Sequence, residues 1–153
     1  MSIRIATAPV SWGIWELTID RPDLIPAETF LETIVDLGYA ATETGPPGYF
    51  APDGRAAVER ARRYGVDLIA TFLPLRLDDP DGFEEDLRAL DRTVDVLEAT
   101  GGGIVLLADM ETPARARAAG SEERRRATGW DTATVERAAE RLQRAAEIVR
   151  GRG

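Results

Sequence analysis

Two periods of hydrophobic and polar residues alternate along the chain. Ile3 to Ala8 is a short apolar alternation and predicts a first strand. Pro26 suits the first turn of a helix, and Phe30, Leu31, Ile34, Val35 and Leu37 recur at helical spacing as far as Gly38. Tyr39 to Glu43 predicts a second strand, closed by Thr44 to Phe50, whose prolines and glycines forbid regular structure. Asp53 is placed to cap a second helix carrying Val58, Ala61 and Tyr64 and ended by Gly65. Val66 to Phe72 predicts a buried third strand, followed by a loop from Leu73 to Pro80. Phe83, Leu87, Leu90, Val94 and Leu97 then step by four and three along a third helix that stops at Gly101. Gly103 to Ala108 predicts a fourth strand, ending in Asp109, Met110 and Glu111. The connection from Thr112 to Trp130 is long, with a composition able to support a short helix. A last helix begins near Asp131 or Thr132 and presents Val135, Ala138, Ala139, Leu142, Ala146 and Val149, with Gly151 at its stop.

Strand starts recur about thirty residues apart and strands alternate with amphipathic helices, so the chain reads as one α/β domain over residues 1–153 with parallel strands and right-handed crossovers. The strands are apolar on both faces, as in a sheet buried on both sides. Two architectures satisfy this pattern: a (βα)4 half of a TIM barrel, or an open doubly wound sheet. The loops after the strands are rich in functional residue types while those before them are minimal, which is the asymmetry of a barrel whose site lies at the C-terminal strand ends. No Gly-x-Gly-x-x-Gly follows any strand, which weakens the nucleotide-binding alternative.

Composition narrows the chemistry. A net charge of -8 argues against nucleic acid and anionic membrane surfaces. No apolar run approaches the roughly 18 residues of a membrane span, and no signal-peptide core opens the chain, so a cytoplasmic location is expected. The chain has no cysteine and no histidine, which excludes disulfides, thiolate metal sites and His-based triads. Any metal held by this chain alone would need oxygen ligands, and none is expected to be held. Residues 112–153 carry 10 arginines against 6 acids, interleaved as on solvated helix faces.

The strand-end loops hold the candidates for binding. Ser11, Trp12, Trp15 and Glu16 surround Gly13 after the first strand; the tryptophan faces can carry the C–H surface of a sugar while Ser11 bonds a hydroxyl. Either tryptophan can instead plug the core. Glu43 directly follows a buried strand and either bonds a ligand or pairs with an arginine. Tyr49 reads as the aromatic tip of a stiff rim formed by Pro46, Pro47 and Gly48, or as part of a plain turn. Arg76 can meet an anionic or keto group, or bind Asp78 or Asp79. Asp109 and Glu111 stand where a metal ligand could sit, but two carboxylates alone make a weak site.

Ala8-Pro-Val-Ser-Trp-Gly-Ile-Trp-Glu16, Gly38-Tyr-Ala-Ala-Thr-Glu-Thr-Gly-Pro-Pro-Gly-Tyr49 and Thr71-Phe-Leu-Pro-Leu-Arg-Leu77 resemble the first three strand ends of the xylose-isomerase-like TIM barrels, within them the sugar phosphate isomerase/epimerase group that includes inosose dehydratase. The resemblance implies an isomerase, epimerase or lyase that moves a proton beside a carbonyl or hydroxyl of a polyol, keto-sugar or cyclitol, using a divalent metal such as Mn, Mg or Co. It spans only the first half of the family's barrel. The metal ligands it implies, two glutamates, an aspartate and a histidine, match nothing here, and what carries over is the substrate-facing wall of Ser11, Trp12, Trp15, Glu43, Tyr49 and Arg76. The chain is therefore expected to be inactive alone. A non-catalytic or self-assembling half-barrel is the alternative, with a homodimer closing the barrel around a small carbohydrate.

Overall fold

In the computed structural model, which describes residues 4–152 apart from the Arg125 side chain, four parallel strands form one sheet in the order β1-β2-β3-β4. They are β1 (Ala6–Thr7), β2 (Ala41–Glu43), β3 (Asp67–Leu75) and β4 (Ile104–Asp109), interleaved with α1 (Ala27–Asp36), α2 (Gly54–Arg63) and α3 (Pro80–Thr100). After β4 come α4 (Pro113–Ala118), α5 (Glu122–Thr128) and α6 (Thr132–Gly151). The chain is thus an α/β protein of alternating strands and helices. Ile3, expected to open the first strand, lies outside the described residues.

The described residues pack as two compact units, one of residues 4–72, 92–106 and 152, the other of residues 73–91 and 107–151. In the first, Phe30, Leu31 and Ile34 of α1 pack with Tyr49, Phe50, Ala57, Val58 and Ala61 and with Val66 and Leu68. Phe30 meets the rings of Tyr49 and Phe50 with centroids 6.1 and 6.0 Å apart, an arrangement that adds directional contact to burial. In the second, Leu75, Leu77, Phe83 and Leu90 are fully buried together with Ala118, Ala138 and Ala145.

Local chemistry sets the element ends. The Asp53 carboxylate accepts the Ala56 N–H at 2.9 Å and caps α2 as its position predicts. The five apolar positions from Phe83 to Leu97 along α3 are all buried, in agreement with their spacing. On β3 one extra residue, Ile69, falls between the partners of Thr42 and Glu43, which face Leu68 and Ala70. Such a bulge bends the strand that carries it, here β3 opposite the end of β2 where Glu43 stands. A β-carbon at Gly103 would lie 2.7 Å from the Ile69 carbonyl oxygen, so only glycine lets the chain enter β4 this close to β3.

Three sequence expectations change. Leu73 to Leu75 continues β3 rather than opening a loop, because the Leu75 carbonyl accepts the Met110 N–H and so remains in strand pairing. The long connection after β4 forms two short helices, capped by Thr112 and Ser121. On α6 the buried positions are Ala138 and Ala145, while Val135 and Ala139 are exposed, so the buried stripe is narrower than the sequence spacing implies. The strands are apolar on both sides, yet Phe72 of β3 and Ile104 of β4 remain 41% and 61% exposed.

Candidate functional site

The loop after β1 is built around a 3-10 turn over Pro9–Trp12, closed by Gly13 at φ 76°, which only glycine adopts without strain. Thr18 holds the far side: its hydroxyl accepts the Trp15 N–H at 2.9 Å and donates to the Gly13 carbonyl at 2.8 Å. Trp12 is half-buried, its ring edge-on to Phe30 at 5.8 Å and its indole N–H donated to Thr7 Oγ1 at 3.4 Å. Trp15 stays 40% exposed and Ser11 is exposed, so this loop offers one anchored aromatic, one open aromatic and a hydroxyl.

The loop after β2 packs against it. A β-carbon at Gly45, whose φ is +64°, would come within 2.9 Å of Pro9 Cγ. That close approach sets the Ser11–Trp15 segment beside the end of β2. The end of the strand is further pinned by the Thr44 N–H bonded to the Ala70 carbonyl and by the Thr44 hydroxyl donated to Thr71 Oγ1 at 2.8 Å. Glu43 is half-buried, and its carboxylate makes no hydrogen bond or ion pair among the described residues. Burial raises its carboxyl above the ordinary glutamate range, since desolvation disfavours the charged form. The alternative expected for Glu43, an arginine partner, is not found among the described residues.

Tyr49 is placed otherwise than at a rim. It is 7% exposed, lies among Phe30 and Phe50, and donates its hydroxyl to the Ile25 carbonyl at 2.9 Å. Burial first, and the negative charge of Glu28 second, push its phenol upward in pKa, which keeps it a neutral donor. The Tyr49 N–H closes the Pro46-Pro47-Gly48 turn on the Pro46 carbonyl at 3.1 Å, and the Tyr49 ring packs on Phe30 of α1.

Arg76 belongs to the second unit. Its guanidinium is bound by Asp86, with Nη2 at 2.6 Å and Nε at 3.1 Å, and by Glu85 at 2.9 Å, while Asp86 also accepts the Arg76 backbone N–H at 2.6 Å. Its partners are thus on α3 and not Asp78 or Asp79; the Asp79 carboxylate instead accepts the Asp81 N–H at the start of that helix. Gly82 lets these side chains lie close to the first turn of α3, since a β-carbon there would meet Asp79 Oδ2 at 2.6 Å and Arg76 Cδ at 2.8 Å and both side chains would have to shift. Asp86 went unnoticed in the sequence, although its position three after Phe83 and four before Leu90 puts a carboxylate on the buried stripe of α3.

The chain therefore brings Ser11, Trp12, Trp15 and Glu43 onto adjoining loops, places Tyr49 in the core beneath them, and commits most of Arg76 to α3. Among the described residues no group of three Asp or Glu side chains converges as a metal site. With no histidine or cysteine in the sequence, these residues do not fit the divalent-metal set that the family resemblance implies. No helix among the described residues is long and apolar enough to cross a membrane.

Fold and loops define an α/β protein in which the ends of β1 and β2 bring aromatic, hydroxyl and carboxylate side chains near one another. Over 110 residues, 70% of this chain, the sequence is 27% identical to the inosose dehydratase of Geobacillus kaustophilus (strain HTA426), of which it covers 34%. The chain thus spans about a third of that relative's length. No family model matches, and no solved structure matches.

Proposed function

We propose that this chain forms the substrate-facing, N-terminal part of a xylose-isomerase-like enzyme, a sugar isomerase, epimerase or inosose-dehydratase-type lyase acting on a polyol, keto-sugar or cyclitol. The observation that carries the proposal is Glu43: a half-buried carboxylate at a strand end, raised in pKa by burial, with no partner among the described residues and with a tryptophan-bearing loop beside it. A buried carboxylate without a partner is costly, and a ligand hydroxyl supplies the missing donor. Trp15, and the open face of Trp12, offer the flat apolar surface on which the C–H side of a ring rests. Similarity to an inosose dehydratase supports the substrate class.

In this reading the chain binds and orients while the divalent metal, Mn, Mg or Co, and the acid–base pair are supplied by other residues of the barrel. The polypeptide alone binds inosose or a related ketose and does not turn it over. Titrating the purified chain with inosose while following tryptophan emission tests binding; assaying it with Mn or Co on inosose and ketoses tests turnover. Binding that weakens about tenfold in Glu43→Gln, with no product formed, is the expected result. Robust turnover by the chain alone, or emission indifferent to every polyol, would sink it.

A second reading is favoured by the exposed apolar residues Ile69, Phe72, Ile104 and Leu106 on β3 and β4. Parallel sheets are ordinarily covered on both faces, and β1 and β4 are the edges of this sheet. A second copy of the chain pairing edge to edge covers both liabilities and makes a self-assembling half-barrel. Light scattering decides it: a dimer that dissociates in Ile104→Arg supports closure, and a strict monomer removes it.

A further inference from the structure

In the unit of residues 73–91 and 107–151, charged and aromatic side chains gather at the end of β4. Asp109 is the last residue of that strand and its side chain is 15% exposed. One carboxylate oxygen, Oδ2, receives Nη1 of Arg115. The other, Oδ1, is buried and has no hydrogen-bond partner among the described residues. A buried carboxylate oxygen left unpaired is rare and costly, so it marks a place where a donor belongs.

Arg115 is held on three sides. Its backbone N–H bonds the Thr112 hydroxyl at 3.3 Å, fixing it in the first turn of α4. Asp109 takes one terminal nitrogen of the guanidinium. The face of the guanidinium lies over the Trp130 ring, 5.2 Å from its centroid. A stacked, carboxylate-braced guanidinium has lost the freedom that makes an exposed arginine a poor receptor. Its side chain nevertheless remains 39% exposed, and its Nε and Nη2 donors have no partner among the described residues. Two donors in that planar fork match the two oxygens of a carboxylate or phosphate.

The surrounding charge agrees. Residues 113–128 contain five arginines and two glutamates, within a chain of net charge -8. The segment that folds over the end of β4 is therefore the cationic part of an acidic protein, which concentrates small anions there. The negative groups near the site are Glu111, which is exposed, and Asp131, whose carboxylate accepts the Thr134 N–H at the start of α6.

We infer that Asp109, Arg115 and Trp130 form a binding site for a small hydroxylated oxyanion. Arg115 binds the carboxylate or phosphate through its free edge, and Asp109 Oδ1 accepts a hydrogen bond from the neighbouring hydroxyl. The inference stands on these three residues and does not depend on the reading of Glu43.

Isothermal titration of the full chain with glycerate, glycerol 3-phosphate, inorganic phosphate and neutral glycerol tests it. Glycerate or glycerol 3-phosphate binds, glycerol does not, and the better of the two anions identifies the ligand's charged group. Arg115→Lys keeps the charge but loses the fork and weakens binding about tenfold. Arg117→Lys, on the same short helix, leaves it unchanged. Quenching or shift of tryptophan emission on binding, lost in Trp130→Phe, places the ligand beside the stack. The inference is overturned if the wild-type chain binds neither hydroxylated anion. It is overturned equally if inorganic phosphate matches both of them, or if Arg117→Lys weakens binding as much as Arg115→Lys, because either result describes a diffuse cationic surface. A wild-type titration decides the matter even where a variant fails to fold.

Discussion

Gly45 and Pro9 touch closely enough that no other residue fits at position 45: a β-carbon there would lie 2.9 Å from Pro9 Cγ and 3.1 Å from Pro9 Cβ. The proline ring cannot swing aside as a flexible side chain would, and the glycine holds φ at +64°. Gly45→Ala is therefore expected to lose about 1–3 kcal/mol of unfolding free energy in urea. The same change pushes the Trp12 loop away from the end of β2, so tryptophan emission shifts in the folded protein. An unchanged midpoint would show that the two loops are independent.

Glu43 makes the stability of the protein pH-dependent in a direction opposite to most carboxylates. Burial raises its carboxyl above the ordinary glutamate value. A group whose folded pKa exceeds its unfolded one binds its proton more tightly in the fold. Its contribution is complete below the unfolded value and is lost as pH rises through the folded one. Glu43→Gln cannot ionise, so it melts above the parent at pH 7, and the two converge once the pH falls below the ordinary glutamate range. The gain stays under about 1 kcal/mol because water still reaches the side chain. Thermal melts at pH 7 and pH 3.5 measure it, and a parent more stable at pH 7 contradicts it.

The alternation of the fold was legible because each helix carries its own stripe and stop, as from Phe83 through Leu97 to Gly101. What resisted reading depends on partners distant in sequence. Tyr49 looks like a rim residue until Ile25, twenty-four positions earlier, supplies the acceptor for its hydroxyl. Glu43 was legible as a candidate from its place at the end of a buried strand, but the bulge at Ile69 in the neighbouring β3 leaves no local signature. Arg115 and Trp130 were invisible as a pair because the connection after β4 had to fold into two short helices before the ring could lie beneath the guanidinium.

Tyr49 separates packing from binding. Its hydroxyl donates to the Ile25 carbonyl at 2.9 Å inside the core, so Tyr49→Phe is expected to lose about 1 kcal/mol of stability. Carbohydrate affinity, read by tryptophan emission, is expected to remain that of the parent. A variant of unchanged stability but weakened binding would return Tyr49 to the substrate-facing wall.

Asp86 and Glu85 both bind Arg76, and burial ranks them. The Asp86 side chain is 9% exposed and accepts both the guanidinium and the Arg76 backbone N–H, whereas the Glu85 side chain is 66% exposed and makes one contact. Asp86→Asn keeps the shape but loses the charge and turns one acceptor into a donor facing Arg76. It is expected to cost about 1–3 kcal/mol. Glu85→Gln removes an ion pair held largely in water and is expected to change stability by no more than about 0.5 kcal/mol. Urea titrations of both variants at 50 mM and 500 mM NaCl check the ranking, since salt screens the exposed pair and leaves the buried one nearly untouched. If the two substitutions cost the same, Arg76 is not anchored through Asp86, and its guanidinium is open to the anionic or keto group that its position after β3 first suggested.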